Sequence, residues 1–200
     1  METKVDSRNC GILKSVDPES SAGEVIGKRI SSPYYITDEL TVEDVAGIFT
    51  GNSTIQALGV TGNDLRARGI ILRNEVFALI GQKFGRELYM NKSIKDIVQP
   101  AEHIYYRRNT FSVINEFSEH LRSADNRFYI LTDSENMYRG LVSSFDLVLF
   151  LSDMMTRELM AARRIHSAIV KDDVIIESGR MSVEGTMIMA GETGGDFHHV

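Results

Sequence analysis

Between Tyr34 and Gln82 the spacing of apolar positions changes several times. Tyr34 to Thr37 is a short strand-like run, Val42, Val45 and Phe49 recur at helical spacing, and Thr54 to Val60 and Ala67 to Leu72 are β-type runs around Gly62-Asn63-Asp64. Glu75 to Gln82 is helical again. The order predicted is strand, helix, hairpin, helix, because residues three and four apart share a helix face and a Gly-Asn-Asp turn tolerates the backbone angles of a hairpin. Thr41, with Asp44 three residues on, offers an N-cap and an acidic first turn for the first helix.

The pattern occurs twice. Thr61-Gly-Asn-Asp-Leu-Arg-Ala-Arg-Gly69 lies over Thr132-Asp-Ser-Glu-Asn-Met-Tyr-Arg-Gly140 at an offset of 71 residues, and the same offset sets Tyr34-Tyr35 over Tyr105-Tyr106 and Val42 over Val113. The second copy then reads as a strand near 103–107, a helix over 111–121, a hairpin over 127–142 turning at Asp133-Ser134, and a helix from 144. The fold class expected is α+β, a β-α-β-β-α unit used twice and followed by a long helix. On that helix Val148, Leu151, Met155, Glu158, Ala162, Ile165 and Ile169 follow alternate steps of three and four, apolar at six of seven places. That is a coiled-coil period, and the helix either pairs with a copy of itself in a homodimer or packs on its own repeats. The alternation after Lys171 is of strand type.

With 22 Lys+Arg against 28 Asp+Glu the net charge is -6, which disfavours nucleic acid as partner. No stretch reaches the 18 or more apolar residues of a membrane span, and no apolar signal core follows the first charges. The single cysteine, Cys10, allows no internal disulfide, so a reducing cytoplasm is the expected setting.

Gly140-Leu-Val-Ser143-Ser-Phe-Asp146 matches a known pattern of glycine, two apolar residues, Ser or Thr, two variable residues and Asp at a strand-to-helix junction. Lys92-Ser-Ile-Lys-Asp-Ile97 and Pro100 match the approach to a second repeat. On these residues the chain resembles a tandem pair of cystathionine beta-synthase (CBS) domains, a Bateman module. Residues 22–92 would form repeat 1 and 93–152 repeat 2, with 1–21 a disordered N-terminus. The segment 81–92 is similar to CBS pairs found beside cyclic-dinucleotide signalling domains.

The resemblance implies an adenosine nucleotide (AMP, ADP or ATP) as ligand. A helix N-terminus has free N–H groups for a phosphate, and a carboxylate there accepts both ribose hydroxyls. Asp146 fits that role, Ser143 adds a hydroxyl, and Gly140 belongs to the motif. Ile104, Leu141 and Val142 would sandwich the base, with Tyr105 nearby and Arg107 and Arg108 placed to meet phosphates. Ser143 and Asp146 read equally as helix caps, and Tyr105, Arg107 and Arg108 as a strand face and a solvated charge pair. Copy one carries Leu72 and Glu75 at the equivalent positions, which points to one nucleotide per chain.

Glu158-Leu159, residues 161–166 and Gly191-Glu-Thr-Gly194-Gly195-Asp196-Phe197 resemble the start of a sporulation stage II E-type, metal-dependent serine/threonine phosphatase. Residues 153–170 would be a signalling helix and 171–200 a truncated beginning of that domain. Asp196 would be a ligand of Mn²⁺ or Mg²⁺ in a complete domain; alone it reads as a solvated tail residue, since two-metal hydrolysis needs several oxygen ligands. The function expected is a sensor that controls an attached phosphatase acting on a phosphoprotein. Its alternatives are a ligand-free dimer scaffold and, for a longer chain, the active phosphatase itself.

Overall fold

The computed structural model describes residues 12–16, 25–122, 125–169, 173–179 and 181–186. The chain divides into two units, Met1–Leu147 and Val148–Val200. In the first unit, strand β1 (Lys14–Ser15) lies antiparallel to β2 (Tyr34–Thr37), followed by helix α1 (Val42–Gly51), strands β3 (Ala57–Thr61) and β4 (Ala67–Leu72), and helices α2 (Arg73–Gly81) and α3 (Gly85–Tyr89). The second copy comprises β5 (His103–Tyr105), α4 (Thr110–Glu116), α5 (Ser118–Leu121), β6 (Phe128–Thr132), β7 (Tyr138–Ser143) and the start of α6 (Ser144–Ile169). The sheets run β1-β2-β3-β4 and β5-β6-β7. In each the first strand of the copy is parallel to the second, the last two form a hairpin, and the register shifts just before the turn, at Val60/Thr61 and Leu131/Thr132.

Local chemistry explains the elements and their ends. Thr41 accepts the Asp44 N–H at 3.3 Å while the Asp44 carboxylate accepts the Thr41 N–H at 2.9 Å, a reciprocal cap that starts α1. The strand expected from Thr54 begins only at Ala57, because the Arg73 guanidinium gathers the Phe49 and Asn52 carbonyls at 2.5 and 3.1 Å and bends the chain before the sheet. The strand expected to residue 107 ends at Tyr105, since the carbonyls of Tyr106 and Arg108 turn to accept N–H groups of Gly27 and Ile26 at 2.8 and 2.9 Å. The helix expected over 111–121 breaks at Phe117, whose ring packs 4.9 Å from that of Tyr129.

The two copies are joined by exchanged backbone. The segment before β2 crosses to β7, where Ser31 N–H meets the Leu141 carbonyl and Leu141 N–H meets the Ser32 carbonyl, both at 2.8 Å. The segment before β5 crosses to β4 in the same manner, Ile70 and Gln99 exchanging both bonds at 2.9 Å. Tyr35, Ala57, Ile70, Ile130, Tyr138 and Leu141 pack together between the copies, and the Tyr138 hydroxyl donates to the Tyr34 carbonyl at 2.9 Å. The core of repeat 1 is separate, built around Ile36, Val45, Phe49, Leu58 and Ile94.

The hairpin turn of the second copy is held by Asp133, whose carboxylate accepts the Glu135 and Met137 N–H groups at 3.0 Å each and the Arg139 guanidinium at 2.9 Å. Burial pushes this carboxyl up, but the N–H groups of Met137 and Glu135 and the Arg139 guanidinium outweigh it and hold it below the usual Asp range. Its stabilising effect is present above the unfolded value of about 3.9 and disappears as pH falls through the lower folded value. Urea denaturation across that acid range is expected to show a shallower loss of stability in Asp133→Asn than in the parent, and equal slopes would refute this.

In the second unit, β8 (Asp173–Ser178) and β9 (Met181–Thr186) form an antiparallel pair. Helix α6 has 26 residues, about 39 Å at 1.5 Å per residue, and runs across the boundary between the units. Along its expected seam Val148, Met155 and Ile165 are exposed, Ile165 by 62%. Among the described residues no helix is long and apolar enough to cross a membrane.

Candidate functional site

The junction of β7 and α6 is assembled by a segment from the other end of the unit. Gly140 has φ +135°, and a Cβ there would come within 2.9 Å of the Ile30 side chain, so the glycine lets residues 30–32 run beside β7. That passage delivers the Ser31 hydroxyl to the start of α6. It accepts the Ser143 N–H at 2.9 Å and donates to Oδ2 of Asp146 at 2.5 Å. The Ser143 hydroxyl accepts the Asp146 N–H at 3.1 Å and also donates to Asp146 Oδ2. Oδ1 of Asp146 takes no hydrogen bond among the described residues.

The remaining donors of the first turn are engaged as well. Ser144 N–H donates to the Arg127 carbonyl at 2.8 Å and Phe145 N–H to Oδ1 of Asn126 at 3.2 Å, while the Ser144 hydroxyl accepts the Arg127 N–H at 3.0 Å. This corrects the expectation that the N-terminus of this helix offers free N–H groups to a phosphate. The groups of Ser144, Phe145 and Asp146 already have partners, and an anion would have to displace them.

Beside this network lies a cavity of about 320 Å³, of the size used for small ligands. Ser31, Ser143 and Asp146 form its polar wall, Tyr34, Ile55, Ala57 and Phe128 its apolar surface, and Phe145, 58% exposed, stands beside them. Thr54 and Gln56, in the loop bent around Arg73, and Asn126 complete the lining with Ser32. Of the residues singled out from sequence, Ser143 and Asp146 meet here, and Gly140 stands behind them. Leu141, Val142 and Ile104 do not line the cavity. Leu141 is sealed in the core between the copies, and Val142 and Ile104 are equally buried, Ile104 on the far strand of the three-stranded sheet. Tyr105 is exposed and stacks edge-on with Tyr106. Arg107 donates to the Tyr106 hydroxyl at 2.7 Å and Arg108 pairs with Glu116, so neither lines the cavity. That pairing raises Arg108 and lowers Glu116 from their ordinary values, the side-chain hydrogen bond being the main cause. Asp196 lies outside the described residues, among which no cluster of His, Cys, Asp or Glu is placed to hold a metal ion.

Sequence reasoning missed Ser31, Tyr34, residues 54–57, Asn126 and Phe128. Ser31 and Asp146 are 115 residues apart, and no local spacing marks them as neighbours. Phe145 sits inside the quoted motif and was available as a signal. The first junction has another character: Leu72 gives α2 no side-chain cap, and the Glu75 carboxylate accepts the Gln99 amide through Oε2 at the wall of a cavity of about 300 Å³. A further cavity, about 240 Å³, lies at the crossing of the copies, lined by Ile70, Leu72, Gln99, Glu102, Asn126, Arg127 and Phe128 among others.

No family model and no curated protein matches this sequence. Among solved structures the chain is similar to CbpB in complex with c-di-AMP, with 12% identity over 66% of this chain and 87% of that one and a TM-score of 0.50. It is similar to a Vibrio cholerae protein named for acetoin utilization, AcuB, with 9% identity, 67% and 94% coverage and a TM-score of 0.52. It is also similar to the cystathionine beta-synthase pair domain of a Shewanella oneidensis MR-1 protein named as a Mg²⁺ transporter, with 10% identity, 68% and 74% coverage and a TM-score of 0.51. The fold is that of a CBS pair.

Proposed function

We propose that this chain is a regulatory module that binds one adenosine nucleotide in the cavity beside Ser143 and Asp146 and passes its occupancy into α6. The observation that carries this reading is the Asp146 carboxylate, held at the cavity wall through Oδ2 by two serine hydroxyls while Oδ1 is left to accept from a ligand. A ribose supplies adjacent hydroxyl donors for that oxygen, and Tyr34, Ile55, Ala57 and Phe128 offer the apolar surface a base requires. The CBS-pair fold shared with CbpB, whose structure holds c-di-AMP, supports an adenine ligand. One ligand per chain agrees with Leu72 at the first junction, which brings no hydroxyl where the second junction has Ser143.

Asp146 belongs to the first turn of α6, and Ser31 to a segment arriving from outside the second copy, so a ligand gripping Asp146 acts on both. Occupancy changes the output only if two arrangements of the helix differ in affinity for the ligand. The exposed positions Val148, Met155 and Ile165 suit pairing of α6 with a second copy, and we place a homodimer there. The attached activity we assign is serine/threonine phosphatase, on the phosphatase-like residues Glu158 to His166 and Gly191 to Phe197. A ligand-free scaffold is the second reading, favoured by the same Ser143–Asp146 bonds, which also cap α6.

Thermal unfolding with AMP, ADP, ATP, c-di-AMP and S-adenosylmethionine tests the choice. A ligand at a hundredfold excess over its Kd adds about 2.7 kcal/mol to the native state, a rise of several degrees for a chain of this length. We expect such a rise for at least one of them. No rise with any would remove the sensor reading and leave the scaffold.

A further inference from the structure

Beyond the end of α2 the chain doubles back on the helix. The Gly85 N–H donates to the Gln82 carbonyl at 2.8 Å, and a Cβ on Gly85 would stand 2.3 Å from the Leu79 carbonyl oxygen, so only glycine packs there. This close return leaves Phe84 in the left-handed region, at φ 64° and ψ 10°, a conformation unfavourable for a bulky side chain. The ring is 61% exposed and carries the Lys83 ammonium 5.3 Å from its centre. Leu88, whose N–H donates to the Phe84 carbonyl at 3.1 Å, lies one helical turn on and is 57% exposed. The strained backbone and the exposed apolar pair both cost stability in the chain by itself. The charge around them is mostly of one sign. Residues 81–92 hold Lys83, Arg86 and Lys92 against Glu87 alone, in a chain whose net charge is -6. Lys83 and Arg86 are exposed, and neither has a carboxylate partner among the described residues.

We propose that the turn between α2 and α3 is a docking site for an acidic protein segment, which seats an apolar side chain on Phe84 and Leu88 while its carboxylates meet Lys83 and Arg86. An aromatic anchor with charged residues at its rim is how protein interfaces concentrate their binding energy. A second copy of the chain fits this patch less well, because a symmetric contact would set Lys83 and Arg86 against their own equivalents. An anionic membrane fits it less well too. The membrane would face the acidic chain as a whole, whereas a peptide meets only the charges within a screening length of about 8 Å. Helix α3 is also little more than one turn, short of the continuous apolar face that an interfacial helix buries. The assignment is independent of the nucleotide reading above.

Selection of a display library of random short peptides on the full chain, followed by fluorescence anisotropy of the enriched peptides, tests the assignment. The enriched peptides are expected to carry Asp and Glu around an apolar residue. Phe84→Gly should weaken their binding about tenfold or more, as for truncation of an interface anchor. The melting temperature of that variant should equal or exceed the parent's, because glycine takes φ 64° without strain. Lys83→Glu combined with Arg86→Glu should abolish binding, Glu87→Gln should strengthen it, and added salt should weaken it in the parent. Peptides enriched without an acidic excess, none that depends on Phe84, or binding that survives the double charge reversal would overturn the proposal. A melting temperature of Phe84→Gly well below the parent's would overturn it as well, since the ring would then belong to the fold. Two controls address the other occupants. Sedimentation of the parent but not of Phe84→Gly with phosphatidylglycerol vesicles would overturn the proposal in favour of a membrane, and a dimer lost in Phe84→Gly would overturn it in favour of a second copy.

Discussion

Asp146→Ala is expected to abolish the ligand-induced rise in melting temperature and to lower the stability of the unliganded protein by about 1 to 2 kcal/mol. Both effects come from one carboxylate. It receives the Ser31 and Ser143 hydroxyls through Oδ2, and its removal leaves those hydroxyls without their acceptor at the start of a 26-residue helix. The charge near the helix N-terminus is lost as well. Ligand binding goes because Oδ1 is the acceptor on the polar wall that is not already engaged. Asp146→Asn separates the two roles: it retains an acceptor oxygen for the serines, so unliganded stability should recover in part, while the second carboxylate oxygen is replaced by an NH₂ donor and ligand binding should stay weak. Glu75→Ala, at the first junction, should leave the ligand-induced rise intact, because that junction has Leu72 in place of the serine hydroxyl that holds Asp146. Melting curves of the three variants with and without the best ligand decide it. A full rise in Asp146→Ala would remove the site, and loss of the rise in Glu75→Ala would move it to the first copy.

Gly59→Ala should cost about 3 kcal/mol, enough to lower the melting temperature by roughly 6 to 12 °C. A Cβ on Gly59 would lie 2.2 Å from Cε2 and 2.4 Å from Cζ of Tyr138, well inside contact distance. The Tyr138 ring is not a flexible tip. It is 4% exposed, lies 5.5 Å from the Tyr35 ring and donates its hydroxyl to the Tyr34 carbonyl. Burial, with a smaller contribution from Tyr35, pushes its phenol well above the ordinary value, so it remains a donor throughout the accessible pH range. Any shift that relieves the clash breaks that hydrogen bond and disturbs the packing between the copies, adding an unsatisfied carbonyl to the overpacking. Gly81→Ala is the contrast, since a Cβ there meets nothing within 4 Å and alanine favours the helix. Urea denaturation of the two variants should show a large fall in midpoint for the first and none for the second. A Gly59→Ala unfolding free energy within about 0.5 kcal/mol of the parent's would mean that the ring can yield.

Much of the architecture lies within the reach of periodicity. The strand at Tyr34–Thr37 and the first helix with its Thr41–Asp44 cap agree with the sequence reading because nearest neighbours dictate them. The two hairpins and the helix from residue 144 follow for the same reason, since period and turn chemistry act over a few residues. Ser143 and Asp146 were legible too, being three residues apart on one helix start. The element ends that differ, at Ala57, Tyr105 and Phe117, all follow contacts made from elsewhere: Arg73 gathering carbonyls, Gly27 and Ile26 drawing out the chain, and a ring packed on Tyr129.

The sequence by itself thus determined the repeat, the order of elements and the carboxylate at the second junction. Only the tertiary structure decided what surrounds that carboxylate. A strand points alternate side chains to opposite faces, and which of them end in a cavity depends on what packs above. Leu141, Val142 and Ile104 are therefore buried, while Tyr34, Ile55, Ala57 and Phe128 line the cavity. The same holds for polar partners. Ser31 reaches Asp146 across 115 residues because backbone is exchanged between the copies, whereas Arg107 and Arg108 have partners nearby in the chain, Tyr106 and Glu116. The Ser31–Asp146 pairing arises from the crossing of segments far apart in the chain, which no local pattern records.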